Sequence, residues 1–127
     1  MESYSDKQIS VEKARELQKN WIGNQGNAID KAMGMTDVRD FLFDLEELQE
    51  FLNLVRTKSK EQGISKPGIR IYFGAYDEEY KKRATVFLQA TNDILAYQES
   101  DPDQQVKNNE EIEPINTVQG GFPPIDY

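Results

Sequence analysis

Apolar residues recur at helical spacing through the middle of the chain. Between residues 45 and 55 they fall three or four positions apart, which places them on one side of an α-helix. The stripe consists of Leu45, Leu48, Phe51, Leu52 and Val55. Asp44 stands before it and Glu47 follows three residues later, so Asp44 can accept a hydrogen bond from a first-turn amide. The pattern predicts a central helix that begins near Leu45 and ends at Gly63.

Two later segments alternate between two kinds of side chain, as strands with two different faces do. Residues 69–76 place Ile69, Ile71, Phe73 and Ala75 on one face and Arg70, Tyr72, Gly74 and Tyr76 on the other. Residues 85–91 alternate Val86, Leu88 and Ala90 with Thr85, Phe87 and Gln89. Because the two segments follow each other closely, we expect them to pair as antiparallel strands.

The order of these elements predicts the fold class. The run Phe41-Leu42-Phe43 before the central helix is predicted to be a buried strand or a lead-in to the helix. A strand, a helix and a second strand of the same sheet form a right-handed crossover. We therefore predict an α+β fold: a small mixed sheet, made of this β-α-β crossover from Phe41 to Phe73 plus an antiparallel strand, with helices on one face.

A second amphipathic pattern lies near the N-terminus. Residues 9–22 are predicted to form a helix with Ser10 as its N-cap. The Gly/Asn-rich stretch 23–27 is typical of an exposed loop, and another helical turn follows over 28–33. Trp21 has two interpretations: it belongs to the apolar stripe of the helix, or its ring is half exposed beside the loop as a contact residue.

The composition changes after residue 97. Residues 98–127 hold seven acidic residues, one basic residue and four of the five prolines. Apolar residues nevertheless recur along this segment, namely Val106, Ile112, Ile115, Val118, Phe122 and Ile125. We therefore divide the chain into a core domain over residues 1–97 and an acidic C-terminal tail over 98–127 that lies on the core. The ending Phe122-Pro123-Pro124 either docks there or presents a polyproline segment to a partner.

The residue types that are missing restrict the chemistry. The chain has no Cys and no His, which excludes disulfides, thiolate nucleophiles and the usual zinc sites. Acidic residues at 99, 101, 103 and 110 fit part of a calcium-loop spacing, but the glycine that the sharp turn needs is replaced by Gln104. The 23 acidic residues could supply a carboxylate pair for hydrolysis, although no pair stands in an apolar setting. We expect no metal, no cofactor and no catalysis.

Charge and hydropathy restrict the partners. The 15 basic and 23 acidic residues give a net charge of -8, which opposes binding to nucleic acid or to an anionic membrane. No apolar run is long enough to span a bilayer, and the N-terminus lacks a signal-peptide pattern. We expect a cytoplasmic protein with a neutral or basic protein partner, whereas the sequence does not decide the oligomeric state.

Aromatic residues beside positive charge mark the candidate binding surface. Arg70, Tyr72 and Tyr76 share one strand face, and Tyr80 lies in the following charged loop, residues 76–83. Aromatic residues and Arg often anchor protein interfaces. With Trp21 as a possible fifth contact, these are the predicted binding residues. If the tail covers the strand face, its residues are structural; if it does not, they form an exposed patch. A weak likeness to an aromatic RNA-binding strand is opposed by the acidic charge.

Four segments together carry a family resemblance. They are Ile9 to Ala14, Phe43 to Leu48, the string Gly-Ile-Arg-Ile-Tyr-Phe-Gly from Gly68 to Gly74, and Thr85 to Leu88. In these segments the chain resembles a family of small uncharacterised bacterial proteins with no known activity. Relatives tend to end in a Cys-Pro-Pro-like stretch, where this chain has Phe122-Pro123-Pro124. The resemblance implies kinship and no terminal thiol.

Three classes of function follow from these observations. The leading one is a non-catalytic binding or interaction protein, for instance an acidic inhibitor or an immunity-like protein. The second is a small-molecule-binding domain that uses the face of Arg70, Tyr72 and Tyr76. The third is a carboxylate-based hydrolase. A closed pocket beside Arg70 would favour the second class, and a buried carboxylate pair would favour the third.

Overall fold

The computed structural model describes residues 4–77, 82–94, 105–116 and 119–120. They fall into two compact units, the N-terminal unit within Met1–Asp40 and the sheet unit Phe41–Gly120. Each unit is described by itself. The predicted boundary at residue 97 remains a prediction, but residues 105–116 belong to the same compact unit as the central helix and the strands.

Helical structure makes up most of the N-terminal unit. A 3-10 turn at Tyr4–Lys7 precedes helix α1 (Val11–Trp21), a π-helical turn (Ile22–Gly26) and helix α2 (Asn27–Met33). Ser10 caps α1 as predicted, because its Oγ accepts a hydrogen bond from the Lys13 amide at 3.0 Å. The prediction of a loop over 23–27 is wrong, since the backbone stays helical there.

The glycine at position 26 explains why a loop-like composition forms a helix. Gly26 is buried against Trp21, and a Cβ atom at this position would lie 3.0 Å from both the carbonyl oxygen and the Nε1 of Trp21. A Cβ atom at this distance is closer than ordinary van der Waals contact, so a larger residue at position 26 would require Trp21 to shift. The Trp21 side chain is half-buried beside this turn. The glycine thus serves close packing and does not mark a break in the helix.

The described residues of the sheet unit form one helix and five strands. The helix is α3 (Leu45–Glu61), and the strands are β1 (Phe41–Leu42), β2 (Ile69–Ala75), β3 (Ala84–Ala90), β4 (Ile115–Asn116) and β5 (Gln119–Gly120). Strands β2, β3 and β4 make one sheet in that order, and β1 pairs with β5 in a separate two-stranded sheet. The core lies between α3 and β3 and consists of Phe51, Val55, Leu88, Ala90 and Ile112.

The α+β class is confirmed, but the predicted crossover and mixed sheet are wrong. All strand pairs of the described chain are antiparallel, and β1 does not share a sheet with β2. Strand β1 has only two residues, so its sequence carries no periodicity that could identify its partner. That partner, β5, comes more than seventy residues later. A long-range pair of two-residue strands lies beyond any local pattern.

The N-cap of α3 is formed as predicted. Asp44 Oδ2 accepts a hydrogen bond from the Glu47 amide at 2.9 Å. Just beyond the C-terminus of the helix, Gly63 adopts a left-handed conformation with a φ of 76°, which prevents the helix from continuing. We expect Asp44→Ala to lower the free energy of unfolding by about 1 kcal/mol, because that amide loses its partner.

Urea denaturation checks this value. Gln49→Ala is the control on the same helix, where the lost contact with Asn53 is exposed and is worth a few tenths of a kcal/mol. Equal losses in the two variants would contradict the assignment of Asp44 as the cap.

None of the helices in the described residues combines the length and the apolar character that crossing a membrane requires.

Candidate functional site

Strand β2 has two faces with different surroundings. The face of Arg70, Tyr72 and Tyr76 contacts residues 105–116, here named the clamp segment, and is half-buried. The other face carries Ile69, Ile71, Phe73 and Ala75, here named the outer row, and is exposed. The structure thus brings together three of the predicted binding residues. It uses them to hold another part of the same chain.

Arg70 is the main anchor of the clamp segment. Its Nη1 donates to Asn108 Oδ1 at 2.6 Å, and its Nη2 donates to the Val106 carbonyl oxygen at 2.9 Å. A planar guanidinium can hold two acceptors at once, which fixes both the position and the direction of the bound segment. Both acceptors belong to the clamp segment, so a partner that used Arg70 would have to displace these bonds.

The two tyrosines extend the same set of contacts. Asn108 donates through Nδ2 to the Tyr72 hydroxyl at 2.7 Å, and the Tyr72 ring stacks on Phe87 with centroids 5.2 Å apart. Asn116 donates through Nδ2 to the Tyr76 hydroxyl at 2.9 Å. Aromatic rings with hydroxyl groups suit a half-buried face of this kind, because the ring packs while the oxygen finds a donor.

Gln89 on β3 binds the clamp segment through side-chain hydrogen bonds to its backbone. Its side chain is 6% exposed, and its Nε2 donates to the carbonyl oxygens of Asn109 at 2.8 Å and of Ile112 at 3.4 Å. Asn109 is buried as well and donates through Nδ2 to Gln62 Oε1 at 2.6 Å. These amides satisfy backbone groups in the interior. The clamp segment is therefore an integral layer of the sheet unit.

The outer row is the exposed feature that the sequence analysis did not select. Phe73 is 80% exposed and Ile71 is 65% exposed, and Ile69 also reaches solvent. They share a sheet face with Leu88 and Ala90, which α3 covers. A helix covers a strip about 10 Å wide. Here α3 packs on β3 and Ile112, so the outer row extends beyond it.

One signal in the sequence could have identified this row. Between residue 41 and the strand predicted at residues 69–76, the sequence predicts a single amphipathic helix. This one helix has to cover the apolar faces of both long strands, at residues 69–76 and 85–91. Alternation alone shows which residues share a face and is silent about which of them a helix reaches. The mismatch between one helical stripe and two apolar strand faces predicts that part of one strand stays exposed.

The backbone amide and carbonyl groups of the outer row point away from β3, toward the open edge of β2. The Thr91 amide donates to the Gly68 carbonyl at 2.9 Å and the Tyr76 amide donates to the Arg83 carbonyl at 3.1 Å. Antiparallel ladders alternate, so the even-numbered residues of β2 bond to β3 and the odd-numbered ones point their amide and carbonyl outward. Strand β2 is an edge strand in the sheet that the described residues form. Exposed side chains and outward backbone groups therefore belong to the same residues.

The remaining predicted site residues lie elsewhere. Trp21 belongs to the N-terminal unit, and Tyr80 lies outside the described residues. So do Glu99, Asp101 and Asp103 of the calcium-loop spacing and the proline-containing ending. Within the part of the chain that the structure describes, no group of three or more acidic side chains is placed to hold a metal ion.

Comparison of the chain with protein-family models, with curated proteins and with solved structures finds no match. The geometry of strand β2 and the charge of the chain are therefore the features from which a function can be inferred.

Proposed function

We propose that the protein is a non-catalytic protein-binding module and that the edge of β2 is its binding surface. The observation that carries this proposal is the exposure of Phe73, 80% of which faces solvent on an edge strand. Large apolar residues scattered singly over a surface are common. A row of them beside outward backbone groups is uncommon, because proteins protect such edges from unwanted pairing.

An added β-strand is the partner structure that fits this edge. Its backbone would bond to the outward amides and carbonyls of Ile69, Ile71 and Phe73, which supplies affinity. Its alternate side chains would pack on the outer row, which supplies specificity. The opposite face of β2 is filled by the clamp segment, so binding at the edge leaves the sheet unit intact.

The charge of the chain restricts the class of partner. A net charge of -8 speeds association with basic proteins, leaves association with neutral ones largely unaffected and slows association with nucleic acid. An acidic inhibitor or an immunity-like protein of the bacterial cytoplasm fits these properties. We expect the rate of association with a basic partner to fall as salt rises, because salt screens the attraction.

Phe73→Thr tests the binding surface. Threonine keeps the strand propensity and removes the ring, so the sheet unit is expected to remain folded. Partners captured by the wild-type chain from the native cell are identified by mass spectrometry, purified and measured by calorimetry. Burial of a Phe side chain is worth about 1.5–3 kcal/mol, so the dissociation constant is expected to rise about 10- to 100-fold.

Leu17→Gln is the matched control, because Leu17 is also an exposed large apolar residue but lies on α1. Its dissociation constant is expected to equal that of the wild type. Equal affinities for Phe73→Thr and the wild type would remove the β2 edge from the proposal. Turnover of a small substrate that a single Asp or Glu substitution abolishes would establish the hydrolase instead.

A further inference from the structure

We infer that a second copy of this chain occupies the β2 edge, paired antiparallel about a two-fold axis that passes beside Tyr72. The inference rests on the proposed function, because it names an occupant for the same surface. A two-fold axis requires that one strand be complementary to itself. Strand β2 meets this requirement in its backbone, its side chains and its charges.

The backbone limits the two-fold axis to a few positions. Paired residues of antiparallel strands lie on the same face, so the outer row of one copy must meet the outer row of the other. Only an axis beside Tyr72 pairs all members of the row: Ile71 with Phe73 of the second copy, and Ile69 with Ala75. An axis at Ile71 or at Phe73 leaves outward amides at one end of the strand unpaired. The axis beside Tyr72 joins the two sheets into one continuous sheet.

The side chains of both faces fit this register. On the exposed face, each Phe73 ring lies against Ile71 of the second copy, which is a favourable aromatic and β-branched pair. On the other face Arg70 lies opposite Gly74, which has no side chain, and Tyr72 lies opposite its own copy. Arg70 is the single charged residue between Ile69 and Ala75. No like charges are therefore brought together within the paired strands.

The charges that flank the strand are complementary. Lys66 precedes β2, and Asp77 follows it with its carboxylate almost fully exposed, 3.6 Å from the Lys82 ammonium. Antiparallel pairing brings the end of each strand to the start of the other, so Asp77 of one copy lies near Lys66 of the second copy. Each end of the paired strands thus brings one acidic and one basic residue together, although each chain carries a net charge of -8. At about 0.15 M salt the Debye length is about 8 Å, so repulsion between charges farther apart than this is largely screened.

Single cysteines test both the contact and its register. The natural chain has no Cys, so an introduced cysteine has no competing thiol. Ile71→Cys and Phe73→Cys replace exposed side chains, and hydrogen-bonded partners in an antiparallel pair have Cα atoms about 5.5 Å apart, within disulfide range. One variant carries a tag so that a mixed dimer has a distinct mass. On mild oxidation we expect the mixture to form the mixed dimer, and each variant alone to remain monomeric under denaturing conditions.

Sedimentation equilibrium of the full chain provides the second measurement. The wild type is expected to reach the mass of a dimer as its concentration rises. Phe73→Lys is expected to weaken the dimer about 10-fold or more, because it loses the aromatic contact and places a charge against Ile71. Leu17→Cys, on α1, is the control for random disulfides, and Leu17→Lys is the control for added charge.

The outcomes separate the inference from the proposed function. Disulfides within a single variant in place of the mixed dimer would overturn the axis at Tyr72. A wild-type chain that stays monomeric and forms no mixed disulfide would overturn the second copy as occupant. If that monomer still binds a different protein through Phe73, the proposed function stands; if it binds none, both fail.

Discussion

Phe51→Ala is expected to lower the free energy of unfolding of the sheet unit by about 3–5 kcal/mol. Phe51 is 4% exposed and lies at the centre of the core between α3 and β3. Replacing it removes a large apolar side chain from the interior and leaves a cavity that Val55, Leu88 and Ile112 cannot close, because they belong to different elements. Urea denaturation followed by circular dichroism measures the loss.

The matched control lies on the same helix. Leu54 is 44% exposed, and Leu54→Ala is expected to cost about 1 kcal/mol or less, because nearly half of the residue already contacts water and alanine favours the helix. Similar losses in the two variants would contradict the burial of Phe51 and with it the packing of α3 on β3.

Gln89→Met is expected to lower the free energy of unfolding by about 1–3 kcal/mol. Methionine has a similar size, so packing is largely kept while the amide is lost. The Ile112 carbonyl oxygen then stays buried without the donor that Gln89 provides, whereas the Asn109 carbonyl oxygen keeps its bond from the Ile112 amide at 3.2 Å. A buried acceptor without a partner costs about 1–3 kcal/mol. The clamp segment is expected to loosen, which amide NMR signals of Asn109 and Ile112 would report.

Gln49→Met on α3 is the control for this substitution. The Gln49 side chain is exposed and donates through Nε2 to Asn53 Oδ1 at 3.1 Å. Its loss is expected to stay below about 0.5 kcal/mol. If Gln89→Met is equally mild, the clamp segment is held by other contacts and the role given to Gln89 is wrong.

The elements that depend on near neighbours were predictable from the sequence. Helix α3 and its cap at Asp44 follow from residues within a few positions, and so does the alternation of β2 and β3. Their antiparallel pairing was also predicted correctly, because a short connection between two strands favours it. Local periodicity and local capping are sufficient causes for these features.

The partners of these elements were less predictable. Asn108, Asn109 and Ile112 lie about twenty residues beyond β3, in a stretch whose composition is typical of an acidic tail. The side chains of Asn108 and Asn109 nevertheless hydrogen-bond to Arg70, Tyr72 and Gln62, and Ile112 joins the core. A polar residue matches a distant polar residue without any periodicity, so the pattern placed this segment on the core but did not identify its contacts.

For the candidate site too, the sequence pattern identified which residues share a face but not what that face contacts. The sequence predicted that Arg70, Tyr72 and Tyr76 share one face, and the structure places them so. Their role in binding a partner remains a prediction. The binding surface that we propose is instead the outer row, on the opposite face of the strand. Which face of a strand stays exposed depends on how far a covering helix reaches, and this distance is a property of packing.

The pairing of β1 with β5 has a consequence for how the unit folds. The strands come from opposite ends of the unit, at Phe41–Leu42 and Gln119–Gly120, and Ile112 completes the core near the end as well. A ribosome adds about 5–20 residues per second, so roughly 1–4 s pass between the synthesis of β3 and that of Ile112. Until Ile112 has been synthesised, Phe51, Val55 and Leu88 lack one of their core partners. Closing these long loops, more than forming α3, sets the rate of folding.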